Sequence, residues 1–229
     1  MVQLEDVSYS SNGKEIVSCL NLCLKRGMTY AIVGPSGSGK TTVLMLINGL
    51  ISPTRGKVIF EGNPIDELDM PTYRSKIPLM FQEPLLIPGN GKQNIMLPFS
   101  LESNKERRPD DATIRSKLEE CGLDESYLGK EISTFSGGEK QRLSLVRTLL
   151  LESKVILLDE PTSALDSRSE REVVKVISKV GQGNLMVYVT HSYQLIEAAD
   201  EIIVIKDGKI TIVTDKMDRS KIDSILELR

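Results

Sequence analysis

The sequence lacks several features that would point to a function by composition alone. Its 229 residues include one histidine and three cysteines, Cys19, Cys23 and Cys121, and no two cysteines form a C-x-x-C pair. We therefore expect free thiols in a reducing compartment, with no disulfide framework and no cysteine metal site. Lysine and arginine number 29 against 32 acidic residues, a net charge of −3 that gives no basic excess for binding nucleic acid.

Long apolar runs are missing as well. No run approaches the roughly 18 residues that a membrane-spanning helix needs, and the N-terminal stretch MVQLEDVSYS lacks the pattern of a secretory signal. We therefore expect a cytoplasmic protein with no transmembrane segment of its own. With 40 % hydrophobic residues, a chain of this length can bury a full core as one large domain or a domain with a subdomain.

The sequence does contain an alternation of buried strands and amphipathic helices. Short apolar runs of the kind found in parallel sheets lie at residues 28–33, 154–160 and 185–190. Helical patterns lie between and after them, at residues 40–50, 139–153 and 169–180. This alternation predicts a doubly wound α/β core.

Other parts of the chain follow different patterns. Residues 1–27 and 55–62 alternate apolar and polar positions, which predicts antiparallel strands, and residues 201–214 predict a hairpin with its turn at Asp207-Gly208. Residues 91–133 are polar, with basic residues interrupted by acids, and predict a solvated helical insertion. The last stretch, residues 218–229, predicts one amphipathic surface helix.

The segment GPSGSGKTT, residues 34–42, lies between the first buried strand and the first helix. It matches G-x-x-x-x-G-K-[ST] through Gly34, Gly39, Lys40 and Thr41. Glycines allow backbone N–H groups to surround phosphate oxygens, and the helix start adds positive potential. Lys40 would reach the β- and γ-phosphates and Thr41 would hold Mg²⁺. We therefore predict a nucleoside triphosphate site in preference to a simple glycine-rich turn.

Two acids end the second buried strand. In VILLDEP, Asp159 and Glu160 follow four apolar residues, at the end of a parallel strand where α/β sheets bind ligands. Asp159 suits a Mg²⁺ shell, and Glu160 could polarise a water for attack on the γ-phosphate. Solvated acids or a helix cap are the alternatives. We prefer the metal and base roles because the phosphate loop needs an acid on a neighbouring strand.

A second glycine-rich helix start occurs in TFSGGEKQR, residues 134–142. Ser136 and Glu139 form a capping-box pattern, which explains the helix start but needs neither Gly137 nor Gly138. Each glycine costs about 1 kcal/mol relative to alanine in a helix interior. We interpret the two glycines as leaving space for another anion to approach the backbone at the positive end of the helix. Two chains packed head to tail could then each close the nucleotide site of the other.

These motifs, together with FQEP (81–84), SALD (163–166) and TH (190–191), resemble the nucleotide-binding domain of ATP-binding cassette (ABC) proteins in order and spacing over nearly the whole chain. The resemblance implies a P-loop NTPase fold with a RecA-like parallel-sheet core, an antiparallel β-subdomain and an α-helical subdomain. Residues 1–229 would form a single domain. Residues 1–90 and 150–229 would supply the core and β-subdomain, and about 91–149 the helical subdomain.

The resemblance also implies roles around one nucleotide. Tyr9 occupies the place of the aromatic residue that stacks on adenine, although a tyrosine in an N-terminal strand also suits a packing role. Gln82 would sense Mg²⁺ and contact the membrane partner. Glu160 matches the catalytic glutamate, and His191, the one histidine, matches the switch residue that contacts the γ-phosphate. Without the other motifs His191 would be a stray residue at a strand end.

Further roles implied by the resemblance belong to the dimer. Ser136 and Gly138 would contact the γ-phosphate of the ATP held by the opposite protomer, and Asp166 would lie at the dimer seam. The predicted nucleotide-binding residues are Tyr9, Gly34, Ser36, Gly37, Gly39, Lys40, Thr41, Thr42, Gln82, Ser136, Gly137, Gly138 and Asp166. The predicted catalytic residues are Glu160, His191 and Lys40, and the predicted Mg²⁺ ligands are Thr41, Gln82 and Asp159.

The chain departs from the usual family pattern at two positions. The signature motif begins with Phe135 where leucine is commoner, and has Glu139 where glutamine is frequent. Neither change removes Ser136 or the two glycines, so both sites of a homodimer should be competent. The expected cofactors are ATP and Mg²⁺. The expected partners are a second copy on ATP binding and an integral membrane permease, which would hold the chain at the cytoplasmic face of the membrane.

We therefore predict the ATP-hydrolysing subunit of an ABC transporter. The segment SPTRGKVIFEGNPI (52–65) and the Tyr73-Arg74 pair are similar to the small ATPases of two-component exporters assigned to iron. An ABC ATPase that regulates a membrane complex without transport remains an alternative, because its ATPase residues would be the same. A soluble ABC ATPase of DNA repair or translation is another, although that class carries long coiled-coil insertions or tandem cassettes, and tight nucleic-acid binding would favour it.

Overall fold

The chain folds around two β-sheets with helices packed against them, and the computed structural model of the protein describes residues 1–226. The strands are β1 (Val2–Ser11), β2 (Lys14–Leu24), β3 (Thr29–Val33), β4 (Arg55–Phe60), β5 (Asn63–Pro64), β6 (Leu79–Met80), β7 (Val155–Asp159), β8 (Leu185–Val189), β9 (Glu201–Lys206) and β10 (Lys209–Thr214). The α-helices are α1 (Lys40–Asn48), α2 (Met70–Lys76), α3 (Gly91–Met96), α4 (Asp111–Glu120), α5 (Gly137–Leu149), α6 (Ser167–Gly181), α7 (Tyr193–Ala198) and α8 (Arg219–Leu226). Short 3-10 turns occupy Ile65–Glu67, Leu97–Ser100, Glu102–Arg107, Glu125–Leu128 and Ile132–Thr134.

The larger sheet has six strands in the order β10-β9-β3-β8-β7-β6. Its strands β9, β3, β8, β7 and β6 are parallel, and β10 returns antiparallel to β9. The strands predicted from apolar runs are present as β3, β7 and β8, each one or two residues shorter than predicted and buried along its whole length. Their carboxyl ends meet at one edge of the sheet, which is where parallel sheets hold ligands.

The smaller sheet is antiparallel, in the order β2-β1-β4-β5. Its first three strands cover the segments in which apolar and polar residues alternate. The predicted hairpin is also present, with Asp207 and Gly208 as the left-handed turn between β9 and β10. This turn joins the two sheets, because the Ser18 N–H donates a hydrogen bond to the Gly208 carbonyl oxygen at 2.9 Å.

Residues 91–149 contain helices and 3-10 turns. The segment is less solvated than its polar sequence suggested, because Ile95, Phe99, Ile114 and Leu118 are all buried. These side chains belong to an apolar cluster that includes residues of α5, β7 and α6. A periodicity argument misses such a cluster when the buried residues are spread over short helices and turns.

Two further clusters complete the core. One lies between the two sheets and around α1, and a small one holds α7, α8 and β9 together. The predicted C-terminal helix is present as α8, and residues 227–229 of that prediction lie outside the described residues. Over residues 1–226 we find no helix with the length and hydropathy that crossing a membrane requires.

Candidate functional site

The predicted phosphate loop, residues 34–42, joins the buried strand β3 to helix α1. Gly34 at its start has φ 148, a backbone angle that L side chains rarely adopt. A Cβ at this position would lie 2.0 Å from the Ile205 carbonyl oxygen. Only glycine therefore allows the loop to pass β9, and the loop's path is fixed by the sheet behind it.

Lys40 is buried at the start of α1, and its Nζ folds back over the loop. It donates hydrogen bonds to the carbonyl oxygens of Gly34 at 2.8 Å and Pro35 at 2.9 Å. Burial lowers the pKa of Lys40, and the charges of Glu160 and Asp159 partly oppose this shift. A lysine ammonium has three donors, so one N–H remains for a phosphate oxygen.

A second polar group in the loop fits a phosphate. Within the described residues, the buried Ser38 Oγ has no hydrogen-bond partner. A buried hydroxyl without a partner is costly and calls for a ligand or water. Together with the remaining N–H of Lys40, it gives the loop two donors that suit the oxygens of a nucleotide phosphate.

Thr41 and Asp159 connect the loop to the end of β7. The Thr41 hydroxyl donates to Asp159 Oδ2 at 2.8 Å. Burial raises the pKa of Asp159, while this hydrogen bond and Lys40 act in the opposite direction. Residues 1–226 hold no group of three or more His, Cys, Asp or Glu side chains that could form an all-protein metal cage. A hydroxyl beside a carboxylate fits Mg²⁺, which takes its remaining ligands from phosphates and water.

Glu160 sits at the end of β7 in a left-handed conformation, with φ 47. This conformation costs roughly 1–2 kcal/mol for a non-glycine residue. The backbone is held by a hydrogen bond from the Glu160 N–H to the Val189 carbonyl oxygen at 3.0 Å. Burial raises the pKa of Glu160 to about 7, although the His191 backbone N–H and the charge of Lys40 lower it. The carboxyl group is therefore poised between its two protonation states near neutral pH.

His191 follows β8, the strand next to β7. Its Nε2 lies 3.1 Å from Glu160 Oε1, and its side chain is 43 % exposed. Burial, followed by the charge of Lys40, lowers the pKa of His191, which favours the neutral imidazole. A neutral imidazole can donate from Nε2 to an ionised carboxylate. The histidine therefore lies beside Glu160, so the structure brings Lys40, Thr41, Asp159, Glu160 and His191 into one group.

Sequence reasoning missed Gln141, which is 1 % exposed on helix α5. Its Nε2 donates to the Glu160 carbonyl oxygen at 2.8 Å and to Ser163 Oγ at 3.1 Å. Its Oε1 accepts from the Ala164 N–H at 3.0 Å. A signal was available, because positions 141, 145, 148 and 149 share one buried face of the helix at i, i+4, i+7 and i+8 spacing. A glutamine on such a face must find partners inside the protein.

The second glycine-rich helix start has the capping box that the sequence indicated. Ser136 Oγ accepts from the Glu139 N–H at 3.3 Å, and Glu139 Oε2 accepts from the Ser136 N–H at 2.7 Å. A contact within the chain explains why position 138 is a glycine, because a Cβ there would lie 3.1 Å from the Ala164 carbonyl oxygen. Gly137 is exposed and has room, since its nearest neighbour would be 3.9 Å away. The described hydrogen bonds do not link this helix start to the phosphate loop.

Phe135 and Glu139, the two residues that depart from the family pattern, both contact Tyr127. The Phe135 and Tyr127 rings pack edge to face, with centroids 5.2 Å apart and planes at 84°. The Tyr127 hydroxyl donates to Glu139, which lowers the pKa of that carboxyl group. Lys130 Nζ lies 4.4 Å from the centre of the Tyr127 ring. Phe135 and Glu139 are thus joined through Tyr127, a residue outside the motif.

Besides the start of α5, the predicted site residues Gln82, Asp166 and Tyr9 also lie apart from this group. Gln82 is exposed in the loop two residues beyond β6, the strand that pairs with β7, and no hydrogen bond of its side chain is described. Asp166 is the N-cap of α6 and accepts from the N–H groups of Arg168 at 2.9 Å and Ser169 at 3.0 Å.

Tyr9 pairs with Val17 across β1 and β2 and packs partly buried against the core. A cleft of about 600 Å³ beside the phosphate loop is lined by residues 14–16, 35–38 and 206–208. Tyr9 therefore lies on β1, one strand away from the β2 residues that line the cleft, and its partner Val17 directly follows the lining residue Ile16.

Comparison with known proteins identifies the family. The sequence model of the ABC transporter family matches residues 17–163, more than half of the chain. The chain therefore belongs to the ABC transporter family. It is the ATPase component of such a system, as the predicted motifs indicated.

Two relatives illustrate this membership. The chain is 38 % identical over 208 residues to the probable iron export ATP-binding protein FetA of Escherichia coli K12, covering 90 % of this chain and 91 % of that protein. It is 34 % identical over 217 residues to the mycobactin import ATP-binding/permease protein IrtB of Mycolicibacterium thermoresistibile. That match covers 91 % of this chain but only 37 % of IrtB.

A solved structure confirms the fold. The ATP-binding cassette MJ0796, described as a dimer in a post-hydrolysis state bound to ADP and Pi, matches with a TM-score of 0.85 and 31 % identity. The match covers 95 % of this chain and 100 % of that one. The predicted P-loop ABC ATPase fold and the ATPase activity are therefore confirmed.

Proposed function

We propose that two copies of this chain bind two ATP–Mg²⁺ and use ATP hydrolysis to drive a separate membrane permease. The observation that carries the proposal is the buried carboxyl group of Glu160. It lies 3.1 Å from His191 Nε2, beside the phosphate loop, with a pKa of about 7. Such a group can accept a proton from an attacking water at neutral pH.

The other residues of the site bind and orient the nucleotide. Lys40 and Ser38 donate to phosphate oxygens, and Thr41, Asp159 and Gln82 would hold the Mg²⁺ ion. The ion neutralises charge on the β- and γ-phosphates when it is bound. Phosphoryl transfer depends mainly on positioning and charge stabilisation, so the residues need only to hold the γ-phosphate and the water in line.

The remaining residues complete the nucleotide site. His191 orients Glu160 and contacts the γ-phosphate. Tyr9 stacks on the base at the cleft beside β2. Ser136, Gly137 and Gly138 bind the nucleotide of the opposite protomer, with Asp166 at the seam. Support for this arrangement comes from the exposed start of α5, which the described hydrogen bonds do not join to the chain's own phosphate loop.

A permease surface would lie next to Gln82. Leu85 is 63 % exposed, Ile87 40 % and Leu97 38 %, and they are three of the eight large apolar side chains exposed in the described residues. The Asn94 side chain ties Ile87 to α3, accepting from its N–H at 2.8 Å and donating to its carbonyl oxygen at 3.0 Å. Leu97 lies three residues beyond Asn94. Exposed apolar residues close to one another mark interaction surfaces, and the short sequence distance from Leu85 to Ile87 together with the link from Ile87 to α3 supports docking of a membrane partner here.

The cargo that we propose is a metal, with iron as the first candidate for export. This step rests on the similarity to FetA, in a match that covers 90 % of this chain and 91 % of FetA. FetA is an ATP-binding protein of about the same extent as this chain, whereas IrtB is a combined ATP-binding/permease protein of which this chain covers only 37 %. A separate permease subunit is therefore the simpler arrangement for this chain.

Hydrolysis is tested with Glu160→Gln and His191→Ala in purified protein. We expect wild-type Mg²⁺-dependent ATPase activity, loss of turnover in Glu160→Gln with ATP binding kept, and a large loss in His191→Ala. Static light scattering should detect an ATP-dependent dimer of Glu160→Gln. Glu197→Gln is the matched control, because this carboxylate pairs with Arg219 at the surface. Wild-type hydrolysis rates in Glu160→Gln would contradict the assignment of Glu160 as the base.

The permease is tested by purification from native membranes with the wild-type chain and with Leu85→Asp. We expect an integral membrane protein to copurify with the wild type and to be lost with Leu85→Asp. Reconstitution of that complex then shows whether iron salts stimulate the ATPase activity more than other divalent metals. Recovery of nucleic acid in place of a membrane protein would contradict the transport proposal.

A further inference from the structure

The start of α5 and the loop after β7 form one hydrogen-bonded unit. The Gln141 amide nitrogen donates to the Glu160 carbonyl oxygen and to Ser163 Oγ, and the amide oxygen accepts from the Ala164 N–H. Gly138, one turn earlier on the helix, packs so closely on the Ala164 carbonyl that an added Cβ would lie 3.1 Å from it. The helix start and the loop therefore cannot move independently by more than a small amount.

The peptide after Glu160 depends on these bonds for its orientation. The left-handed φ of Glu160 is a strained conformation that persists only when the surroundings fix it. On the amino side the Glu160 N–H is held by Val189 on β8. On the carbonyl side the oxygen accepts from Ser163 in its own turn, through the N–H at 3.2 Å and the hydroxyl at 3.1 Å, and from Gln141 at 2.8 Å. Gln141 is thus the connection to this carbonyl from α5.

We propose that Gln141 is a positioning residue that couples the start of α5 to the carboxyl group of Glu160 in the same chain. The inference rests on the proposed function, in which Ser136 and Gly138 bind the nucleotide of the opposite protomer while Glu160 acts on the chain's own nucleotide. When the start of α5 docks on the partner, Gln141 holds the Glu160 peptide in the orientation that points its side chain at His191. Closure of one site is thereby linked to the geometry of the base in the other.

The kinetic test uses two variants. Gln141→Met has a similar length and loses every hydrogen bond of the amide, whereas Gln141→Glu keeps the acceptor for the Ala164 N–H and loses the donor to Glu160. Because a displacement of about 1 Å at a catalytic group can cost roughly 100-fold in rate, we expect both variants to lower kcat by about 10- to 100-fold. KM and ATP affinity should stay within about threefold, since Gln141 does not touch the nucleotide.

Thr148→Val is the matched control. Thr148 lies on the same buried face of α5, and its hydroxyl donates only to the Ser144 carbonyl oxygen of the helix itself. This variant also removes a buried hydrogen bond from α5, and we expect its kcat within twofold of wild type. A kcat within twofold of wild type in both Gln141 variants would overturn the proposal. A parallel rise in KM and loss of ATP affinity would overturn it as well, because it would indicate general damage to the site.

Hydrogen exchange tests the coupling without requiring hydrolysis. In Gln141→Met, a peptide that spans residues 160–166 should exchange faster than in wild type by tenfold or more, because the Ala164 N–H loses its acceptor. Gln141→Glu and Thr148→Val should keep wild-type protection there. Unchanged exchange in folded Gln141→Met refutes the coupling, even if the wild-type protein is an active ATPase. Conversely, an inactive wild type with faster exchange in Gln141→Met would refute the proposed function and leave the coupling standing.

Discussion

Replacing Glu160 by glutamine should stabilise the folded protein while it removes catalysis. Burial raises the pKa of this carboxyl group from 4.5 to about 7. The folded protein therefore binds the Glu160 proton more tightly than the unfolded chain does. Stability falls as the pH rises through the window from 4.5 to 7, and it stays lower above that window. Glutamine is neutral at every pH and has nearly the same shape, so it removes this penalty.

The size of the effect follows from the shift. Each unit of pKa difference between folded and unfolded states is worth about 1.4 kcal/mol. The shift of Glu160 therefore corresponds to a destabilisation of about 3 kcal/mol at pH 8 and below about 1 kcal/mol at pH 5. Glu160→Gln should exceed the wild type in unfolding free energy by these amounts. The side chain is only 10 % exposed, so solvent screens the penalty little.

Urea unfolding at pH 5 and pH 8, without nucleotide, measures the difference. The midpoint of Glu160→Gln should move above that of wild type at pH 8, with the same m-value. Glu139→Gln is the control, because the Tyr127 hydroxyl and the Ser136 backbone lower the pKa of Glu139. That variant should be no more stable than wild type at either pH. Equal stability of Glu160→Gln and wild type at pH 8 would refute the argument that burial raises the pKa of Glu160 to about 7.

Three further changes test other contacts of the site. Gly138→Ala places a methyl group 3.1 Å from a carbonyl oxygen and should cost about 1–3 kcal/mol in urea unfolding, whereas Gly137→Ala, which has room, should unfold like the wild type. Thr41→Val removes the hydroxyl that donates to the strand-end carboxylate, so the Mg²⁺ concentration for half-maximal ATPase activity should rise by roughly tenfold. Tyr127→Phe removes the hydroxyl bound to Glu139 and should cost about 1 kcal/mol in thermal unfolding, and an unchanged midpoint would show that this bond contributes nothing.

The parts of the fold that could be predicted are those encoded by short-range spacing. The buried strands β3, β7 and β8 are continuous apolar runs, and the phosphate loop is one contiguous segment. The approach of Glu160 and His191 could be predicted too, because both follow neighbouring parallel strands whose ends meet. In each case a local pattern and one rule of sheet geometry are sufficient.

The parts that could not be predicted depend on contacts between distant segments. The left-handed backbone of Glu160 is unusual for a glutamate, and nothing in the local sequence marks it. The sequence pattern suggests that Gly138 leaves space for an anion, yet the nearest neighbour of a Cβ at this position is the Ala164 carbonyl oxygen of the same chain. The middle segment was predicted as solvated because its buried residues are scattered, and they become a cluster only when α4 and α5 pack together.

The two departures from the signature pattern illustrate why a motif residue is best judged with its neighbours. Taken alone, a glutamate at position 139 adds a negative charge at a helix start that is proposed to bind an anion. In the structure this carboxylate is occupied on both oxygens, by the Tyr127 hydroxyl and by the Ser136 N–H. Phe135 in turn packs its ring against the same tyrosine. Both carboxylate oxygens are thereby engaged by groups of the same chain, so the proposed anion site at Gly137 and Gly138 does not require a glutamine at position 139.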